Sequence, residues 1–365
     1  MENFDQLNSL GIQKERAFSL ALKSEETRDF SSNIGSISVG LSSGTSGNKG
    51  IFLTGKREKE IWVAAILDRV IGFSFRKRKV AFFLRANNNL YESVNSKLLT
   101  FRFFDILDPI PEHFEKLLDF SPQILVAQPS VLVSIAQLFE AKKRKPFFKK
   151  IISVAEVLEQ DQKEYLEGVF GKRVDQVYQC TEGFLAHTCS KGSLHFNEDW
   201  LKIEKAYLDK NQSRFHPIIT DYLRTSQILA NYELNDIIHE GPKCNCGLKS
   251  TVIEKIEGRS DDVFSFAVKE NEVRIFPDFI RRAVLISSDD ISNFKVVLVE
   301  PKKVVVELEL KDQDGKLKTQ NLVKNSLTKL FLKYNVEEII IEFREFKHSP
   351  LDKFTRVKNE YQKTL

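Results

Sequence analysis

The sequence predicts an α/β protein: a large N-terminal layered domain with a mostly parallel sheet plus antiparallel strands, then a small C-terminal α+β lid domain. Three observations predict it. Apolar strands alternate with amphipathic helices from 79 to 178, the pattern of a layered domain with parallel strands. From His187 the pattern changes to short strands separated by turns. The polar turn Gly258-Arg-Ser-Asp-Asp262 then marks a boundary, giving 1–258 for the large domain and 259–365 for the small one. A chain of 365 residues suits two domains.

The elements follow in order. Residues 15–23 have a helical tendency. The alternation over 34–40 reads as a strand, and 51–54 reads as its partner across a small-residue turn. Ile61, Trp62, Ala65, Ile66, Arg69 and Val70 recur at three and four, so 58–72 is an amphipathic helix. Strands are expected over 79–84, 101–106, 122–127, 148–154 and 173–178. Helices are expected over 111–118, 129–142 and 159–170, the last closed by Gly171. Antiparallel strands then cover 195–199, 200–207 and 215–224. The small domain holds a strand at 263–266, a helix at 277–285, a strand at 302–310, a helix at 321–333 and a strand at 336–343. The tail from His348 to Val357 is basic and irregular.

Composition sets limits on function. Apolar residues make up 42% and charged residues 29%, an ordinary globular balance. With 55 basic and 51 acidic residues the net charge is +4, which makes no case for nucleic acid or a membrane surface. The basic runs Arg76-Lys-Arg-Lys79 and Lys142-Lys-Arg-Lys145 read as solvated helix ends. No secretory signal and no bilayer-spanning apolar stretch is read, and four cysteines are too few for a disulfide scaffold. The expectation is a reduced, cytoplasmic protein.

In layered α/β sheets ligands sit beyond the carboxyl ends of strands. The residues to inspect are therefore 85–91, 127–130, 155–156 and 178–183. The loop Ser42-Ser-Gly-Thr-Ser-Gly47, followed by Asn48, Lys49 and Gly50, is the clearest motif. Its glycines permit close backbone approach, and its amides and hydroxyls suit a phosphate chain. It lacks the spacing of a Walker loop. A flexible surface loop is the alternative.

The order of the motifs is more specific than any one of them. The hydroxyl/glycine loop comes first, then Tyr178-Gln-Cys-Thr-Glu-Gly183, then Asp236, then Gly258-Arg-x-Asp-Asp262, then Lys353 in Pro350-Leu-Asp-Lys-Phe-Thr-Arg356. In this order the chain resembles the adenylate-forming superfamily of acyl-CoA synthetases, adenylation domains and luciferases. Within it the chain looks most similar to the phenylacetate–CoA ligase and CapK branch, and there to EhpF-like enzymes of phenazine pathways. The resemblance runs from about residue 36 to 358.

The resemblance implies an ATP- and Mg²⁺-dependent ligase that turns a carboxylic acid, expected to be an aryl acid of secondary metabolism, into an acyl-adenylate. Ser42, Ser43, Gly44, Thr45, Ser46, Gly47 and Lys49 would hold the outer phosphates. Thr181 would touch the α-phosphate, and Glu182 would hold Mg²⁺. Tyr178 would stack on adenine beside Ala155 and Glu156. Asp236 would accept the ribose hydroxyls, Arg259 would assist there, and Asp261 matches the hinge of a mobile lid. Lys353 matches the family's catalytic lysine. Each assignment has a structural alternative: a helix-end carboxylate for Glu182, a core aromatic for Tyr178, solvated surface for Lys353. Arg85, Asn87, Asn88, Asn89 and Tyr91 follow a buried strand and could line an acyl pocket, as could Phe103, Phe104 and Gln128; Arg85 could equally be an ion-pair partner.

Many relatives carry a glycine soon after the Gly-Arg-x-Asp-Asp motif. Here 263–272 has none, so the resemblance implies adenylation without implying a thioester step with CoA. An aryl-CoA ligase, an enzyme that adenylylates a hydroxyl, and a non-catalytic nucleotide-binding protein are the other readings. Independently of these, Cys189, His195, Cys244 and Cys246 could form a Cys₃His zinc site, with reduced, half-buried thiols as the alternative. Cys180 lies within the Thr-Glu motif and is not counted as a ligand.

Overall fold

A computed structural model describes residues 4–27, 29, 33–41, 50–72, 74–84, 97–269, 271–312, 314–347 and 354–361. The chain divides into two compact units, Met1–Leu234 with Ile238–Ile256, and Asn235–Ile237 with Glu257–Leu365.

The first unit opens with helices α1 (Phe4–Leu7) and α2 (Lys14–Thr27) and a three-stranded antiparallel sheet, β1 (Asn33–Ile34), β2 (Ile37–Leu41) and β3 (Ile51–Thr54). The single strand expected over 34–40 is instead a hairpin that turns at Gly35 and Ser36. Phe4, Ile12, Ala17, Ile51 and Leu53 form its core. The last β2–β3 pair is Leu41 with Ile51, so the hydroxyl/glycine motif connects two paired strands. Gly40 faces Phe52, and a Cβ at Gly40 would sit 2.2 Å from the Phe52 ring. A side chain at Gly40 would require the Phe52 ring to move.

Helix α3 (Lys56–Ala65) follows, and its last turns widen into a π-helix over Ile66–Ile71. Arg78 closes it, donating Nη1 to Ile71 O at 2.8 Å and Nη2 to Gly72 O. The run Arg76 to Lys79 is thus only partly the solvated helix end that was expected. Its third residue satisfies the orphan carbonyls that every helix end leaves, and burial lowers the Arg78 pKa.

The layered core consists of β4 (Arg78–Leu84), β5 (Leu99–Asp105), α4 (Ile110–Phe120), β6 (Ile124–Ala127), α5 (Pro129–Ala141), β7 (Lys150–Ser153), α6 (Gln160–Phe170) and β8 (Val174–Cys180). Strand order is β5-β4-β6-β7-β8, all parallel. Parallel strands covered on both faces read as continuous apolar runs. In β4, Ala81 and Phe83 pack with Phe114, Leu132 and Phe139 from the helices on one face. Val80 and Phe82 pack with Ala65, Val70 and Ile71 on the other. Truncating Phe139 would cost about 3–5 kcal/mol. Helix α6 ends at Gly171 with φ 61°, as its sequence predicts.

The sheet continues with antiparallel strands: β9 (Gly183–Thr188), β10 (Leu194–Phe196), β11 (Leu201–Tyr207), β12 (Arg214–Asp221), β13 (Tyr232–Glu233), β14 (Asp236–Glu240) and β15 (Val252–Arg259). The order from β8 is β8-β9-β10-β15-β14-β12-β11. Strand β8 is parallel to β7 and antiparallel to β9, so the sheet changes character there.

The second unit contains the hairpin β16 (Phe264–Val268) and β17 (Asn271–Ile275), α7 (Pro277–Leu285), β18 (Ile291–Glu300), β19 (Lys303–Leu310), α8 (Lys316–Lys333), β20 (Ile340–Glu345) and β21 (Val357–Asn359). Its sheet has order β20-β19-β18-β21, with only the β18–β19 pair antiparallel. Phe264, Ile280, Phe294, Val304, Val323 and Phe331 form the core. Strands β17, β18 and β21 were not anticipated. A register shift between Ile291 and Asn293 breaks the alternation of β18, which hides it from a period-two reading. Among the described residues no helix is long and apolar enough to cross a membrane.

Candidate functional site

The change of sheet character produces a tight turn. Cys180 pairs with Gly183, leaving Thr181 and Glu182 at its tip, both half-buried. The turn joins two strands, so Glu182 is not the helix-end carboxylate of the alternative reading. Thr181 donates its hydroxyl to Glu182 Oε2 at 2.8 Å. Arg224 Nη1 donates to Thr181 O at 2.8 Å, and its Nη2 donates to Gln227 Oε1 at 2.9 Å. Asp221 Oδ1 accepts the main-chain N–H groups of Leu223 and Arg224 at 2.9 and 3.2 Å. Burial raises the Asp221 pKa against these hydrogen bonds.

A carboxylate on α3 fixes the same segment. Glu58 accepts N–H groups from Gly55 at 2.6 Å, Thr225 at 2.6 Å and Ser226 at 2.7 Å. Burial pushes its pKa up, and the hydrogen bonds, led by Ser226, outweigh that and leave it lowered. Gln227 also accepts from Leu53 N and donates to Ile51 O, each at 3.3 Å, which ties the segment to β3. Arg224, Glu58, Asp221 and Gln227 belong to no motif in the sequence. The available signal was a polar stretch directly after a strand.

The other predicted residues fall as follows. Tyr178 lies on β8, half-buried, 6.5 Å from the Phe196 ring. Ala155 has φ 67°, a conformation that costs a non-glycine residue roughly 1–2 kcal/mol. Glu156 turns its carboxylate to the start of α5, where Oε2 accepts Ser130 N–H at 3.3 Å. Phe104, a lining candidate in the sequence, is a core residue stacked on Phe83 at 4.5 Å. Gln128 is buried at the start of α5, and Phe103 packs against the core on the α3 face of the sheet.

In the second unit, Asp236 opens β14 and Arg259 closes β15, with Nε 3.8 Å from Asp236 Oδ1. Asp261 lies in the 3₁₀ turn Ser260–Asp262 and accepts Asn235 Nδ2 at 2.8 Å. The segment without glycine forms β16, with Phe264 and Phe266 buried in the core. Ser42, Ser43, Gly44, Thr45, Ser46, Gly47, Lys49, Arg85, Asn87, Asn88, Asn89, Tyr91 and Lys353 lie outside the described residues.

Back in the first unit, Cys189, His195, Cys244 and Cys246 bring one donor atom each to within 4.8 Å of one another. Cys189 Sγ is 3.8 Å from Cys244 Sγ, and Cys246 Sγ is 3.5 Å from His195 Nε2. Hydrogen bonding to Ser193, then to His195, pulls the Cys244 thiol down to about 6.

Neither a family model nor a curated protein sequence matches the chain significantly. Solved structures do. A 2-hydroxyisobutyryl-CoA ligase in its postadenylation state, in complex with 2-HIB-AMP, superposes with a TM-score of 0.66 at 15% identity, covering 98% of this chain and 82% of that one. Fatty acyl-adenylate ligases from E. coli and L. pneumophila give 0.60 at 11% identity, with 87% and 68% covered. The McyG A-PCP structure complexed with phenylalanyl-adenylate gives 0.57 at 11% identity, with 86% and 64% covered. The chain therefore has the fold of the adenylate-forming ligases.

Proposed function

We propose that this chain is an adenylate-forming ligase of the acyl-CoA synthetase, adenylation-domain and luciferase superfamily. The observation that carries the reading is the Thr181–Glu182 turn at the point where a parallel sheet becomes antiparallel, in this fold. A carboxylate oxygen of the substrate attacks the α-phosphorus of ATP. The bond from that phosphorus to the bridging oxygen breaks, and pyrophosphate leaves with the electron pair. No protein nucleophile is needed, so the chain's work is positioning and charge neutralisation.

Thr181 turns its hydroxyl proton from Glu182 to the α-phosphate. Ser42 to Lys49 hold the outer phosphates, Tyr178 and Ala155 border the base, Asp236 and Arg259 serve the ribose, and Lys353 neutralises charge as it develops. The carboxylate oxygens of Glu182 at the tip of this turn suit a hard cation. Mg²⁺ held there would neutralise phosphate charge. The acid is an aryl acid in this reading, drawn from the resemblance to the phenylacetate–CoA ligase branch, and the reaction belongs to secondary metabolism in the cytoplasm.

ATP–pyrophosphate exchange with a panel of aromatic acids tests the reading. Exchange should depend on one acid and fall about 100-fold or more in Glu182→Gln and in Lys353→Ala. Undiminished exchange in Lys353→Ala would remove the mechanism. AMP release that waits for CoA would extend the reaction to a thioester, and ATP binding without exchange would mark a non-catalytic nucleotide binder.

A further inference from the structure

We infer that Cys189, His195, Cys244 and Cys246 form a closed, structural zinc site, separate from the adenylation chemistry. The four donor atoms lie within 4.8 Å of one another, and two of their separations match a zinc tetrahedron. With Zn–S bonds of about 2.3 Å and Zn–N of about 2.0–2.1 Å, a regular tetrahedron has S···S edges of about 3.8 Å and S···N edges of about 3.6 Å. The Cys189–Cys244 sulphurs are 3.8 Å apart, and Cys246 Sγ lies 3.5 Å from His195 Nε2. A disulfide would need sulphurs at about 2.05 Å, and all four cysteines of the chain are free thiols.

The histidine is aimed by its surroundings. Its Nδ1 lies 3.1 Å from Ser250 O, so the ring donates there and presents the Nε2 lone pair to the sulphurs. Such an outer hydrogen bond selects the ligating tautomer in metal-bound histidines. His195 is fully buried and Cys189 nearly so, while Cys244 and Cys246 are half-buried.

The backbone is built for ligation as well. Cys189 N–H donates to Ser193 O at 2.8 Å, and Gly192 N–H donates to Cys189 O at 3.0 Å, a tight turn between β9 and β10. Gly192 has φ 93°, and a Cβ there would press on Arg173 at 3.3 Å. Arg173 Nη1 donates to Ser190 O at 3.0 Å and holds the turn from outside. Cys244 and Cys246 lie in the connection between β14 and β15, and His195 faces Val252 of β15 across the sheet. The site thus fastens an irregular connection to the β9–β10 turn.

Three thiolates and one imidazole in a tetrahedron select zinc among common divalent ions. Four protein ligands leave no position for water or substrate, the mark of a structural site.

Metal analysis of protein purified from zinc-supplemented cells should find about one zinc per chain. Cys244→Ser and Cys246→Ser should lose it and melt at lower temperature, while Cys180→Ser should keep it. Where these variants fail to fold, Co²⁺ exchange into the wild-type protein should give the intense visible bands of a tetrahedral thiolate site. Chelation of the native protein should raise amide exchange in 186–195 and 241–252. Zinc well below half an equivalent with four freely titrating thiols, octahedral Co²⁺ spectra, or full metal retention in Cys246→Ser would each overturn the site.

Discussion

Arg224 donates to the main-chain carbonyl of Thr181 at 2.8 Å. The two residues are 43 apart in sequence, and the bond fixes the backbone of a two-residue tip whose side chains are proposed to meet ATP. A guanidinium can hold that carbonyl and Gln227 Oε1 at once, which a lysine cannot reproduce. Arg224→Ala and Arg224→Lys should both lower kcat for ATP–pyrophosphate exchange by about 10–100-fold, because small misplacements of a positioned group are costly. The KM for the acid should change little. Exchange kinetics of the two variants, with a folding control, check this.

Gly40 and Phe52 make a second prediction. The Phe52 ring occupies the space that any side chain at Gly40 would need. Gly40→Val should destabilise the protein by about 1–3 kcal/mol through overpacking. The β2–β3 register sets the two ends of the hydroxyl/glycine loop, so apparent ATP affinity should fall as well. Denaturant unfolding and nucleotide titration of the same variant measure both effects, and Gly40→Ala should give a weaker version of each.

Glu58 gives a pH-dependent prediction. Its folded pKa is lowered from 4.5 by hydrogen bonds that outweigh burial. The unfolded chain therefore takes up a proton first as pH falls. Glu58 contributes its full stability above the unfolded value and loses it as pH drops through the lower folded value. Asp221 has the opposite sign: burial raises its pKa, so its contribution is present below 3.8 and fades as pH rises through the raised value. Glu58→Gln should cost about 1–3 kcal/mol near pH 7. The cost should shrink toward zero below pH 4.5, read by unfolding free energies across that range. A cost that stays constant with pH would mean that packing, not charge, is what Glu58 supplies.

Local patterns made much of the fold legible. Helix α7 is observed at 277–285, as its periodicity predicts, and the strand–helix alternation from β4 to β8 follows the apolar runs. The register shift that hides β18, and the glycine-centred turn that splits 34–40 into a hairpin, are backbone events with weak local signals. The Thr181-Glu182 pair stands out in the sequence because its two residues are consecutive and follow a strand. Arg224, Glu58 and Asp221 carry no motif, since their role depends on which turn they face.

By itself the sequence determined the layered α/β class, the positions of most helices and strands, and the residue types available for phosphate and metal. Those depend on apolar periodicity and short-range spacing, which act within a few residues. Only the tertiary structure decided that β8 is the strand at which the sheet reverses, that Arg224 holds Thr181, and that Cys189 and His195 meet Cys244 and Cys246. These are contacts between segments about 40 to 55 residues apart. Sheet order and crossover geometry set them, and neither is written in the periodicity of any one segment.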